Sequence, residues 1–295
     1  MKGAWPMAYW ETADHSWTPD SSRFFNTPSQ KNRDLFYVYQ EMGHFKALKP
    51  YYTERSGLSS YLIKFTLSGE GSLTYQERTE RITPGDVFFI DCRNYQYYKT
   101  VSEEPWEMDW IHISGGQTKA FYEEFVRTGT SVFHTQGDPW QNPLHMIMTK
   151  LLYLQDKQTT KTDFESSVLI HELLNELLIQ KYQLNFQDQD IPAYILEMKD
   201  YIIDHLQEPI TLELLEHKFH LNRYQLNKEF SRYIGMPPIE YQIHQRISKA
   251  KDLLRYSDLS IQEVATNVGL ENFSYFSRLF KKKTGLAPST FRKIG

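Results

Sequence analysis

Cysteine occurs once in the 295 residues, at Cys92. A single thiol excludes an internal disulfide and a cysteine-built zinc site. No run reaches the roughly 18 apolar residues of a membrane span. The opening stretch, MKGAWPMAYWETADHSW, carries acids and no continuous apolar core, unlike a secretory leader. The ten histidines are scattered, and His112 is the only one between Tyr61 and Gly116. That spacing gives no His-x-His metal pair, and a lone histidine on an apolar strand reads as a core residue. Asp86, Asp91 and Asp109 have no spacing that marks a catalytic pair, and no nucleophile triad or phosphate loop is present. These absences point to a cytoplasmic protein without membrane contact that is not an enzyme and has no cofactor, metal or catalytic residue.

What is present is unevenly spread. Residues 1–191 hold 18 Lys and Arg against 25 Asp and Glu, whereas residues 192–295 hold 15 against 12, so an acidic front precedes a mildly basic back. All six tryptophans lie in the first 140 residues. Two domains with separate tasks are expected.

Residues 1–50 lack periodicity and read as an irregular arm. From about residue 58, LSSYLIKFTLSGEGSLTYQER alternates Tyr61, Ile63, Phe65 and Leu67 with polar or mixed neighbours, turns at SGEG and resumes as a strand. RITPGDVFFIDC and WEMDWIHIS add further strands, which together suggest a small sandwich or barrel. Near 143 the period becomes helical. Leu144, Ile147, Met148, Leu151 and Leu152 share one face, and Phe164, Val168, Leu173, Leu174, Leu177 and Leu178 form a second stripe. Two roles stay open for these helices, and both can hold: covering the β domain or forming a dimer interface. NFQDQD, residues 185–190, reads as a linker.

The C-terminal region repeats itself at an offset of fifty residues. NRYQLNKEFSRYIGMPP, from Asn222, matches NFSYFSRLFKKKTGLAP, from Asn272, and Phe230, Gly235 and Pro238 fall on Phe280, Gly285 and Pro288. Each unit reads as a helix, a turn and a second helix. Thr211 is a plausible cap in the first, and Ser260 with Glu263 forms a capping box in the second. Phe276, Leu279 and Phe280 would anchor the last helix, while Asn272–Lys283 carries one arginine, three lysines and no acid. A helix with one buried and one cationic face can enter a major groove of double-stranded DNA. The helix between the units, with Ile243, Ile247, Ala250 and Leu254 on its buried side, would span roughly 27 Å. Successive major grooves recur about every 34 Å on one face of a duplex.

RISKAKDLL followed by LSIQEVATNVGLENFSYFSRLFKKKTGLAPSTFRK resembles the C-terminal DNA-binding domain of the AraC/XylS family of bacterial transcription regulators, over about residues 192–293. The resemblance implies seven helices with two helix-turn-helix units, at about 210–235 and 260–285, joined by a linker helix at 238–256. Carried over by position, the base-reading candidates are Asn222, Tyr224, Asn227 and Lys228 in the first unit and Phe273, Ser274, Tyr275 and Arg278 in the second. Arg223, Lys281 and Lys282 are the phosphate candidates. Arg278 is the sharpest of these, since arginine can bind guanine O6 and N7 together. Glu216, beside Leu215, stands where a small alanine is common in the family, so looser packing or a slightly rotated helix is expected there.

Over about residues 35–116 the SGEG turn, PGDVFFIDC and PWEMDWIHISG resemble the cupin-like sensor domain of the family's sugar-responsive branch, with Gln96 where many relatives have a histidine. The implied fold is α+β and multidomain. An N-terminal arm and cupin-like effector domain span 1–142, a helical dimerisation and linker region 143–184, and an all-α DNA-binding domain 185–295. The implied protein is a homodimeric activator of carbohydrate-utilisation genes, with RNA polymerase as a further partner. Aromatic faces stack on sugar rings, and strand position makes Tyr37, Tyr61, Lys64, Arg93, Tyr95, Tyr97, Trp106 and Trp110 the effector-binding candidates. The rivals are a front domain that only oligomerises or senses a non-sugar ligand, which a barrel filled by large side chains would favour, and a metal-dependent cupin enzyme.

Overall fold

The computed structural model describes residues 8–155, 159, 161–184 and 190–294. The chain divides into two compact units, Met1–Gln183 and Leu184–Gly295.

The first unit contains two antiparallel sheets. One has five strands in the order β1 (Trp10–Asp14), β4 (Tyr52–Ser56), β9 (Gln96–Thr100), β6 (Gly71–Tyr75) and β7 (Arg78–Ile82). The other has six, in the order β11 (Val132–His134), β8 (Asp86–Asp91), β5 (Tyr61–Ser68), β10 (Trp106–Gly115), β3 (Tyr37–Ala47) and β2 (Ser22–Phe25). The sheets pack face to face as a cupin-like sandwich. Leu73, Ile82 and Tyr98 from one sheet meet Phe45, Leu62, Phe88, Trp106 and Trp110 from the other.

The six-stranded sheet is buried on both faces. Its outer face packs Tyr39, Tyr61, Ile63, Phe65, Ile111 and Ile113 against α2 (Thr118–Phe125), α3 (Pro143–Gln155) and α4 (Thr162–Lys181). Leu144, Ile147, Leu151, Leu173, Leu174 and Leu177 supply the helical side of this core. Full burial of such side chains is worth about 1.5–3 kcal/mol each. The helices of residues 143–184 therefore do cover the sheet and share its core. Phe164 and Val168, however, fall on the exposed side of α4.

One reading of the first unit needs correction. Residues 10–47 are not an irregular arm: they form β1, β2, the short helix α1 (Gln30–Leu35) and the eleven-residue β3, while residues 1–7 lie outside the described residues. The sequence hides β3 because its burial follows no simple alternation: a bulge in its pairing, between His112 and Ile113 of β10, shifts the register. The strands either side of SGEG do not pair with each other. β5 bonds to β8 and β10, while β6 bonds to β7 and β9, so the turn carries the chain from one sheet to the other. Gly71 is needed at that crossing, because a Cβ there would sit 2.6 Å from the Trp106 indole.

The second unit has seven helices among the described residues: α5 (Ala193–Asp204), α6 (Leu212–Phe219), α7 (Arg223–Ile234), α8 (Pro238–Tyr256), α9 (Ile261–Asn267), α10 (Phe273–Thr284) and α11 (Pro288–Ile294). It holds two small cores. Ile195, Met198, Leu215, Leu226, Phe230 and Tyr241 form one, and Ile247, Ala250, Leu254, Val264, Phe276 and Phe280 form the other. The 19-residue α8 contributes Tyr241 to the first and Ile247, Ala250 and Leu254 to the second. At about 1.5 Å per residue it extends about 28 Å.

Candidate effector cavity and nucleic-acid interface

The sandwich interior closes around a cavity of about 30 Å³ lined by thirteen residues, among them Glu41, Phe45, Thr53, Arg55, Lys64, Tyr98, Trp110 and His112. Such a space holds about one water. Glu11, His15 and Trp17 line it from the N-terminal segment, and Arg23 and Tyr51 complete the ring of polar and aromatic groups. Period-two alternation explains the set. On β5, Leu62, Lys64 and Thr66 face the interior while Tyr61, Ile63 and Phe65 face the helices. On β4 the buried residues are Thr53, Arg55 and, at its end, Ser56, and on β9 they are Gln96, Tyr98 and Thr100.

The interior is strongly polar for a core. Arg55 pairs with Glu11 (3.2 Å) and donates to the Tyr98 hydroxyl (3.1 Å) and to His112 Nε2 (2.6 Å). The last bond places the imidazole proton on Nδ1, 3.1 Å from Ser60 Oγ. Burial, reinforced by the charges of Arg55 and Lys64, holds the His112 pKa well below the ordinary value, so the ring is neutral. Arg23 pairs with Glu41 (2.5 Å). Lys64 is 2% exposed; its ammonium lies 3.4 Å from the Tyr51 hydroxyl and 3.9 Å from the centre of the Tyr98 ring, with Trp106 at 5.0 Å. Burial, then the charge of Arg55, pushes its pKa well down. Cys92 is also buried, which lifts its thiol to about 11 and keeps it protonated.

Of the eight effector candidates, Lys64 and Trp110 line this cavity, and Trp106 lies behind Lys64. The others are elsewhere. Tyr61 packs against Phe89 and Tyr122 on the helical face, and Tyr37 stacks on His171. Arg93 bonds Asp91 and the Tyr61 hydroxyl in a surface loop. Tyr95 bonds Glu54 at the surface, and Tyr97 packs against Tyr52 on the outward side of β9. These five fail to line the cavity because they have the wrong strand phase or sit in a loop. Arg55 and Tyr98 were missed; the alternation of β4 and β9 around Thr53 and Gln96 was the signal that could have found them. His112, read as a core residue, is buried and hydrogen-bonded at the edge of the cavity. Among the described residues, no group of three or more His, Cys, Asp or Glu is placed to hold a metal.

In the second unit, α6–α7 and α9–α10 form the two helix-turn-helix elements. Leu226 and Phe230 bury one side of α7, and Phe276 and Phe280 one side of α10. Thr211, Asn222, Ser260 and Asn272 cap α6, α7, α9 and α10 through their side chains. The turns differ: Gly269 has positive φ and is pressed against the Gln207 carbonyl, whereas the first turn uses His220 at φ 54°.

Tyr224, Lys228, Phe273, Ser274, Tyr275 and Arg278 are exposed along the starts and outer faces of α7 and α10, and Asn227 is half-buried. Asn222 caps α7, its oxygen accepting from Gln225 N (2.9 Å). Lys281 and Lys282 are exposed and, like Arg278, make no ion pair among the described residues. Arg223 differs, since its guanidinium pairs with Glu213 and Glu216. The expectation of loose packing at Glu216 does not hold. Leu215 fills the core position that Ala265 takes in the second unit, and Glu216 accepts from the Arg223 backbone N–H (2.6 Å) at the start of α7.

Two family models match this chain: a helix-turn-helix domain over residues 215–294 and an AraC-like ligand binding domain over residues 38–178. The chain is 32% identical over 258 residues to the uncharacterized HTH-type transcriptional regulator YfiF of Bacillus subtilis, covering 80% of this chain and 77% of that one. The chain belongs to the AraC family. This AraC-family member is also similar to the arabinose operon regulatory protein of Escherichia coli, with 27% identity over 241 residues, 80% of this chain and 81% of that protein. The Msm operon regulatory protein of Streptococcus mutans is 26% identical over 242 residues, 79% of this chain and 84% of the other. As an AraC-family protein it is a DNA-binding transcription regulator with a ligand-binding domain. No helix among the described residues is long and apolar enough to cross a membrane.

Proposed function

We propose that this AraC-family regulator activates carbohydrate-utilisation genes in response to a sugar or glycoside bound inside the sandwich. The observation that carries this reading is the interior itself: hydrogen-bonding groups of Thr53, Arg55, Tyr98 and His112 line one cavity together with Trp17 and Trp110, the combination that holds hydroxyls and a sugar face. Similarity to regulators of the arabinose and Msm operons supports it. At about 30 Å³ the cavity is too small for a hexose, so binding requires the segment carrying Glu11, His15 and Trp17 to move aside. The effector can shift the protein only by its differential affinity for the two arrangements. The small cavity also supports a second reading, in which the front unit only oligomerises.

The dimer contact is proposed on the outer side of α3 and α4, where exposed Tyr153, Phe164 and Val168 line an apolar groove with Leu154 and Leu169. On DNA, α7 and α10 enter successive major grooves. Asn222, Tyr224, Asn227, Lys228, Phe273, Ser274, Tyr275 and Arg278 face bases, and Lys281 and Lys282 face phosphates. Arg223 joins them once released from Glu213. RNA polymerase is the further partner of an activator.

The test is thermal unfolding of the full chain, read by tryptophan fluorescence, against mono-, di- and trisaccharides. A concentration-dependent rise with one sugar class is expected, since a ligand binding only the folded state stabilises it. No rise at saturating millimolar concentration overturns the sugar reading and leaves the DNA-binding assignment standing.

A further inference from the structure

Lys64 stands outside the ion pairs around the cavity. Arg23, Arg55 and Lys64 face it with Glu11 and Glu41. Glu41 is taken by Arg23 and Glu11 by Arg55, so Lys64 has no carboxylate partner among the described residues. Hydrogen-bond supply leans toward donors. Arg55 Nε and Trp110 Nε1 are buried donors with no acceptor among the described residues, against one unpartnered acceptor on the inward face of β9, Gln96 Oε1, and the contact of Lys64 to Tyr51 is long. A sealed amine in an aromatic box, on the same strand face as Leu62 and Thr66, breaks the local pattern of a core strand. Such breaks are expected at functional sites.

Resting on the reading that this cavity holds the effector, we infer that the effector is a sugar acid, an aldonate or uronate, whose carboxylate is received by Lys64, Arg55 Nε and Trp110 Nε1. A neutral hydroxyl brings a hydrogen along with its acceptor pairs and would need an acceptor in return, whereas a carboxylate brings acceptors only. The cavity lining has more unpartnered donors than acceptors, and an incoming carboxylate supplies the counter-charge with which the Lys64 amine, driven toward neutral by burial, takes up a proton. A phosphate dianion would exceed that single charge. The rest of the molecule would meet Thr53, Tyr98 and His112.

The experiment melts the full-length protein, followed by tryptophan fluorescence at matched ionic strength, with D-gluconate and D-galacturonate against D-glucose and D-galactose. The Lys64→Met and Lys64→Arg variants are melted alongside after far-UV circular dichroism has shown them folded. The expected result is a concentration-dependent rise with one of the acids and none with the neutral sugars. Apparent affinity falls about tenfold or more in Lys64→Met, because one partner of a buried charge pair is removed, and Lys64→Arg recovers part of it. Equal or larger stabilisation by a neutral sugar overturns the inference and leaves the effector reading intact. Equal stabilisation of wild type and Lys64→Met by an acid overturns the seat at Lys64. Stabilisation by neither class removes the effector reading and this inference with it.

Discussion

Replacing Lys64 by Met is expected to stabilise the protein. The side chain is 2% exposed, its hydrogen bond to Tyr51 is 3.4 Å long, and the two acids that line the same cavity, Glu41 and Glu11, are paired with Arg23 and Arg55. Burying a polar group so poorly satisfied costs about 1–3 kcal/mol. Against this stand the ring contacts to Tyr98 and Trp106, worth about 0.5–2 kcal/mol if the amine is charged. Burial drives the amine toward its neutral form, which weakens those contacts, so the desolvation penalty wins. Methionine keeps most of the stem packing. A gain of about 1–2 kcal/mol follows, or roughly 2–8 °C for a domain of this size at about 2–4 °C per kcal/mol. Tryptophan fluorescence reads the relevant unit alone, because every tryptophan lies in residues 1–140. The pH dependence supplies a sharper check. With the folded pKa lowered, the unfolded chain binds more protons, so wild-type stability climbs with pH toward the ordinary lysine value near 10.4. The advantage of the methionine variant therefore shrinks as pH rises, by up to about 1.4 kcal/mol per pH unit. A lower melting temperature in the variant at neutral pH, or an advantage that grows with pH, refutes the reasoning.

Three other expectations follow from the same structure. Arg278→Ala should lose roughly 1–3 kcal/mol of discrimination at one base pair, whereas Lys281→Ala should weaken all sequences alike and lower the salt slope by about one; duplex selection and salt titrations separate the two, and an unchanged preference at every position would remove Arg278 from the reading surface. Phe164→Asp with Val168→Asp should turn a dimer into a folded monomer by light scattering, because both side chains are exposed and lie outside the core; a variant that stays dimeric places the interface elsewhere. His44 bonds Asp109 (2.8 Å) and Glu107 (3.1 Å), and the Asp109 bond raises its pKa despite burial. Its stabilisation is complete below about pH 6.5 and is lost as pH rises through the raised value, so the melting difference between wild type and His44→Gln should narrow on going alkaline.

The second unit was the more legible half. Its signals are local: caps within four residues, apolar spacing within one helix, and a repeat whose copies check each other. Thr211 and the Ser260–Glu263 box sit at the helix starts where the sequence puts them. What the tertiary structure changed there was a pairing across elements, Arg223 with Glu213 and Glu216, which no local pattern reveals.

The front unit divides differently. Periodicity within short segments marks the strands on either side of SGEG, those in RITPGDVFFIDC and WEMDWIHIS, and the two helices of residues 143–181, but not β9. Tyr61 and Lys64, both named as effector candidates, are an odd number of positions apart on one strand and so face opposite ways. Which face encloses the cavity depends on how the helices and the second sheet pack on β5. Both faces of β5 are buried, one under α3 and α4 and one under the second sheet, so apolar content does not separate them. The assembly of Glu11, Arg55, Lys64, Tyr98 and His112 also belongs to the fold alone. These residues come from five strands in two sheets, and their contact depends on strand order and register, which act between distant segments and leave no mark within any one of them.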